Sequence, residues 1–108
     1  MDRKTRELYR LKAELIQAAA HPLRLAVIDC LRGGERCVGD IAKAVGAERS
    51  NVSRHLALMV QAGLLKSRKD GLNVIYSLRT PCILKFLGCV TDVLRERLKS
   101  SQAMLERL

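Results

Sequence analysis

Apolar residues return at helical spacing along most of this chain. Leu8, Leu11, Leu15 and the Ala18-Ala19 pair recur every three or four positions with charges between them, which predicts an amphipathic helix over 3–19. Pro22 is tolerated as the first residue of a second helix, whose Leu23, Ala26, Val27 and Leu31 form a stripe ending at Gly33-Gly34. Val38, Ile41, Ala42 and Val45 predict a short helix over 37–45, stopped by Gly46 where a left-handed residue is favoured. Ser50 is the expected N-cap of a helix from Asn51 to about Ala62, with Val52, Leu56 and Met59 turned inward and Gly63 closing it. Two β-prone runs, 64–68 and 73–78, flank the hairpin signal Asp70-Gly71. Thr80-Pro81 reads as a cap and a first-turn proline, after which Ile83, Phe86, Leu87, Val90, Leu94 and Leu98 predict a final helix running close to the C-terminus.

The resulting order, α-α-α-α-β-β-α, is mainly helical with a small β-hairpin. Two short helices joined through Gly46 and followed at once by a basic hairpin predict a winged helix-turn-helix, with residues 1–108 forming a single domain flanked by N- and C-terminal dimerisation helices. The motif packs its two helices closely, so it needs a small residue in the first, a glycine at the turn and a branched apolar residue in the second. Ala42, Gly46 and Val52 supply those types at spacings of four and six.

Length and charge sharpen this. A chain of 108 residues excludes a multidomain enzyme and leaves a small core, so extra buried surface from a homodimer interface is expected. No apolar run approaches the roughly 20 residues that span a bilayer, and Met1-Asp2-Arg3-Lys4 leads into a polar helix, so a cytoplasmic protein without a membrane partner is expected. The net charge of +9 is uneven: between Glu48 and Asp70 there is no acid, whereas Arg49, Arg54, Lys66, Arg68 and Lys69 are all basic. Such a one-signed stretch suits a polyanion; a solvated basic face is the plainer alternative.

On helix-turn-helix geometry the N-terminal half of the second motif helix enters the major groove of double-stranded DNA, and its outward residues are Arg49, Ser50, Asn51, Ser53 and Arg54. Arg and Asn pair two-pronged with guanine and adenine edges, and serine hydroxyls serve bases or phosphates. Arg68 and Lys69 at the wing, with Asn73 beside them, face the neighbouring backbone or minor groove. His55, with no second histidine nearby in sequence, reads as a packing or phosphate-contacting residue rather than a metal ligand, and His21 as a helix-start residue. An RNA reader needs exposed aromatics, and of Tyr9, Tyr76 and Phe86 the last two are expected to be buried. No catalytic set of Ser, His and Asp, carboxylate pair or phosphate loop is present, so an enzyme is not expected.

These residues resemble a known family. Val52-Ser53-Arg54-His55-Leu56, Ala62-Gly63-Leu64, Arg68-Lys69-Asp70-Gly71 and Tyr76-Ser77-Leu78 are similar to the S-x-H-L, AGL, R-x-G and Y-x-L signature of ArsR/SmtB bacterial repressors, and Ala20-His21-Pro22-Leu23-Arg24-Leu25 to the family's opening of its second helix. The resemblance covers about residues 8–90. It implies a homodimeric winged-helix repressor, paired through its first and last helices and released from its operator when an inducer binds.

The inducer is a question for the cysteines. Four thiols in a chain of this type read as ligands, sensors or buried apolar groups rather than a disulfide framework. Glu35-Arg36-Cys37-Val38-Gly39-Asp40-Ile41 is similar to the arsenite-sensing box E-L-C-V-C-D-L, with Gly39 in place of the second cysteine. Cys82 and Cys89 are the candidates to replace it, giving a site of Cys37, Cys82 and Cys89. Such a set suits trivalent arsenic or antimony, or another thiophilic ion such as Cu(I), Cd(II) or Zn(II), and needs no obligatory cofactor. Seven positions of helix separate two Cα atoms by roughly 10 Å, so Cys82 and Cys89 meet one ion only if the first turn is loosened or the set is completed across the dimer. Cys30 reads as a small buried residue. The alternative that the resemblance implies is a thiol redox or persulfide switch, which pairs a cysteine of the second helix with one of the last; Cys30 and Cys89 lie near those positions without falling on them.

Overall fold

A computed structural model describes residues 1–107. Helix α1 (Arg3–Ala19) opens on Asp2, whose carboxylate accepts the Thr5 amide at 2.8 Å. Its carboxyl group is held below the usual aspartate range by that bond. Helix α2 (Pro22–Cys30) follows from His21 and tightens into a 3₁₀ turn at Leu31–Gly33. Then come β1 (Arg36–Cys37), α3 (Val38–Val45), α4 (Arg49–Ala62), β2 (Leu65–Asp70), β3 (Asn73–Leu78) and α5 (Ile83–Glu106). Gly46 takes φ +68 at the turn between α3 and α4. No heavy atom would crowd a Cβ there, so the glycine serves the left-handed backbone rather than a close approach.

The β2–β3 hairpin pairs Leu65 with Leu78 and Asp70 with Asn73, and its turn lies at Gly71-Leu72. The hairpin is not alone. Strand β1 pairs antiparallel with β3, Arg36 opposite Tyr76 and Cys37 opposite Ile75, so the sheet has three strands in the order β1-β3-β2. A strand of two residues carries no alternation that could announce it.

The core gathers where α2, α3 and α4 meet: Val27, Ile28 and Leu31, Val38, Ile41 and Ala42, and Val52, Leu56 and Met59 are buried, floored by Leu64 and Leu65 with Ala19 at one edge. Burying each large side chain contributes about 1.5–3 kcal/mol. The α2 stripe differs from expectation, since Ile28 is buried while Ala26 is exposed.

Two helix starts also differ. Glu48, not Ser50, is the N-cap of α4 and makes no side-chain capping bond, which moves Ser50 into the first turn. Thr80-Pro81 does not begin α5. The Ile83, Leu84 and Lys85 amides bond three residues back to Thr80, Pro81 and Cys82, forming a tight turn from which the helix emerges at Ile83. Among the described residues no helix is long and apolar enough to cross a membrane.

Candidate nucleic-acid interface

Helix α4 buries Val52, Leu56 and Met59 against α2 and α3. At 100° per residue the opposite side carries Ser50, Arg54 and Gln61, with Asn51 and Ser53 on its flanks. Arg49, Ser50 and Arg54 are exposed and Asn51 and Ser53 half-buried. An Arg54 Nη2–H donates to Asn51 Oδ1 at 3.1 Å, so the two side chains best suited to base edges are held together before any ligand arrives. Leu58 is also exposed on this side, an apolar group that the reading of charges passed over.

His55 has a second histidine beside it, contrary to expectation. The His21 and His55 rings lie 4.6 Å apart at 43°. The two are distant in sequence, but the start of α2 packs on α4. His21 is the N-cap of α2, its Nδ1 accepting the Leu23 amide at 3.1 Å. His55 Nδ1 accepts from Arg24 Nε–H at 3.1 Å, and Arg24 Nη1–H donates to the Ala18 carbonyl at 3.3 Å. Burial pushes His55 below the ordinary histidine range, helped by the neighbouring His21, Arg24 and Arg54. Through Arg24 and His21 it links α4 to the start of α2 and the end of α1.

The wing packs on α4 through β2. Lys66, Arg68 and Lys69 on β2 are all exposed. Arg68 is engaged within the chain: Nη2–H donates to Glu35 Oε1 at 2.5 Å and Nε–H to Oε2 at 3.3 Å. Tyr76 is half-buried against the core, whereas Phe86 is 48% exposed, since among the described residues nothing covers that side of α5.

The thiols are dispersed. Cys37 is the half-buried N-cap of α3, Cys30 is half-buried at the end of α2, and Cys82 and Cys89 are exposed at the start and in the first half of α5. Among the described residues no three Cys, His, Asp or Glu side chains stand close enough to hold a metal. One chain does not bring Cys37, Cys82 and Cys89 together.

Helix-turn-helix, exposed outward face and three-stranded wing define a winged helix-turn-helix protein. The sequence pattern described as "Bacterial regulatory protein, arsR family" matches residues 21–67. An HTH-type transcriptional regulator of Mycobacterium tuberculosis, Rv0081, is 38% identical over 102 residues, covering 94% of this chain and 90% of the relative. Nodulation protein NolR of Rhizobium meliloti is 34% identical over 83 residues, or 77% of this chain and 68% of NolR. Among solved structures, a homodimeric winged helix-turn-helix DNA-binding domain, Mb0332 of Mycobacterium bovis, superposes with a TM-score of 0.79 at 27% identity over 93% of both chains. The crystal structure of Rv0081 gives 0.75 at 37% identity, over 86% of this chain and 94% of that one. The chain belongs to the ArsR family of bacterial transcription regulators, and not to a family of enzymes.

Proposed function

We propose that this protein is a homodimeric repressor that reads operator DNA with α4 and holds the flanking backbone with the wing. The observation that carries this reading is the pairing of exposed Arg54 with Asn51 on the side of α4 turned away from the core. Arg49, Ser50 and Ser53 share the N-terminal half of α4 with that pair, and exposed Lys69 and the Glu35-paired Arg68 carry basic groups into the wing. His55 supports α4 from behind. Pairing of two copies is supported by Leu8, Leu11 and Leu15 on α1 and Phe86, Val90, Leu94 and Leu98 on α5, all exposed in the single chain. A dimer presents two α4 helices to half-sites about one DNA turn, or 34 Å, apart.

The test is a binding titration of the full chain against duplexes selected from a random pool. Arg54→Ala is expected to weaken binding to the selected sequence by about 1–3 kcal/mol and to relax selectivity at one position. An Arg54→Ala protein with parental affinity and selectivity overturns this reading of α4.

For release from DNA, the thiols of Cys37, Cys82 and Cys89 are the groups with sensing chemistry. All three are at least partly exposed, and α5 is the helix on which two copies meet in this reading, so the set is completed between subunits. Three thiolates suit trivalent arsenic or antimony, or a soft metal ion. In the expected outcome arsenite releases the reduced protein from DNA, and Cys37→Ser loses that response while keeping DNA affinity. Release of Cys37→Ser at the parental arsenite concentration overturns this site. Release by peroxide or persulfide instead assigns the response to a thiol redox switch, in which Cys30 and Cys89 are the pair to replace.

A further inference from the structure

Glu35 precedes β1 and reaches across the sheet to the wing. The register sets Cys37 of β1 opposite Ile75 of β3, and Ile75 opposite Arg68 of β2, so Cys37, Ile75 and Arg68 form one cross-strand row. From just before that row the Glu35 carboxylate spans to Arg68 and takes two N–H groups of its guanidinium, at 2.5 and 3.3 Å. Both side chains remain about half exposed, at 53% and 50%. Asp70 lies 3.9 Å from Arg68 Nη1, too far for a hydrogen bond. Lys66 lines the same groove as Glu35 and Arg68, and its charge adds to the pull on the Glu35 carboxylate. The bond from Arg68 holds the Glu35 carboxyl below the usual glutamate range, so the carboxylate is charged throughout the neutral region.

A guanidinium presents a planar fork of donors, and carboxylate and phosphate compete for the same fork. Here the fork is already filled by an anion of the same chain. A DNA phosphate approaching Arg68 must displace that carboxylate or settle for the remaining donors, and it meets the repulsion of Glu35 in either case.

We propose that Glu35 is an acidic counterweight to the wing: it occupies Arg68 in the free protein and lowers affinity for every duplex by the same factor, restraining sequence-independent binding. This inference rests on the DNA-binding reading above. Glu35 is a positioning residue in this role, since it acts through Arg68 and not on bases. Its effect belongs to the electrostatic part of binding, which a change of salt isolates from base readout.

The experiment measures binding of the full-length protein, by fluorescence anisotropy over a series of salt concentrations, to a random-sequence duplex and to a duplex selected by the parent. Glu35→Gln is expected to bind both duplexes about two- to fivefold tighter, the range set by an exposed ion pair. Its plot of log affinity against log salt should steepen by about 0.9, the change for one more phosphate neutralised. Arg68→Gln weakens binding to both, and adding Glu35→Gln to it recovers less than half of the gain seen in the parent. Equal or weaker binding by Glu35→Gln overturns the proposal, because it makes the carboxylate a brace that aims Arg68 at DNA. An undiminished gain in the Arg68→Gln background also overturns it, because the charge then acts without Arg68. Parental protein that binds neither duplex removes the DNA-binding reading itself, and the counterweight with it.

Discussion

The helix-turn-helix unit and the two long arms, α1 and α5, are built from similar amounts of leucine and valine yet end in opposite states. In the unit and in α2, which packs on it, Val27, Ile28, Ile41, Val52, Leu56 and Met59 are fully enclosed. In α1 only Ala19 is buried, and in α5 no residue is, although Leu11, Leu15, Val90, Leu94 and Leu98 recur at the same helical spacing. The radius of gyration is 17.1 Å, against about 13 Å for a compact chain of this length. Hydrophobic patterning therefore says which side of a helix seeks cover; it does not say whether the cover lies in the same chain. Tertiary packing supplies most of a helix's stability, so arms this poorly covered have an energetic reason to pair with a second copy.

Substitutions on the two sides of this comparison should behave differently. Leu56→Ala opens a cavity in the enclosed unit and is expected to cost about 2–5 kcal/mol, a large part of the roughly 5–15 kcal/mol available to a domain. Urea unfolding checks this, and a loss below about 1 kcal/mol would place the structural centre elsewhere. Leu94→Glu, on the exposed side of α5, puts a carboxylate into the seam between copies. Helix content by circular dichroism should change little, while sedimentation should show about half the parental mass and DNA affinity should fall as one half-site is lost. A Leu94→Glu protein that sediments as the parent does would move the seam off this side of α5.

The same contrast explains which features were legible in the sequence. The α3-turn-α4 unit was readable because Ala42, Gly46 and Val52 are local signals and their partners lie within a few turns of helix. The burial of Phe86 was misjudged because an apolar residue on an amphipathic helix looks alike whether its partner is intra- or intermolecular. Strand β1 was invisible for another reason: Arg36 and Cys37 become a strand only by pairing with Tyr76 and Ile75, far along the chain. The contacts of Arg68 with Glu35 and of His55 with Arg24 and His21 are equally non-local. Composition places Arg68 in an acid-free basic stretch, and only folding reveals that a glutamate outside that stretch reaches it. The position of Arg54 followed from helical phase alone; its bond to Asn51, three residues back on the same helix, was within reach of that argument and was missed.

The smallest expected effect tests the place where arm α1 meets the enclosed unit: Arg24, which also holds the Ala18 carbonyl of α1, and His21 meet His55 of α4. His55 Nδ1 accepts the Arg24 bond, and a protonated imidazole has no nitrogen left to accept with. Burial first, then the charges of His21, Arg24 and Arg54, keep the folded-state value below the ordinary 6.5. As pH falls through about 6.5 the unfolded chain takes up its proton before the folded chain does. Stability from this group is therefore complete above that pH, declines below it, and is spent once the folded-state value is passed. Carboxylates add their own acid dependence, so the useful quantity is the difference between the parent and His55→Gln, whose amide can still accept from Arg24. Urea midpoints measured from about pH 8 down to pH 5 should fall further for the parent than for His55→Gln. Parallel profiles would mean that His55 feels the same surroundings folded and unfolded, and that the contact between α2 and α4 is too loose to exclude a proton.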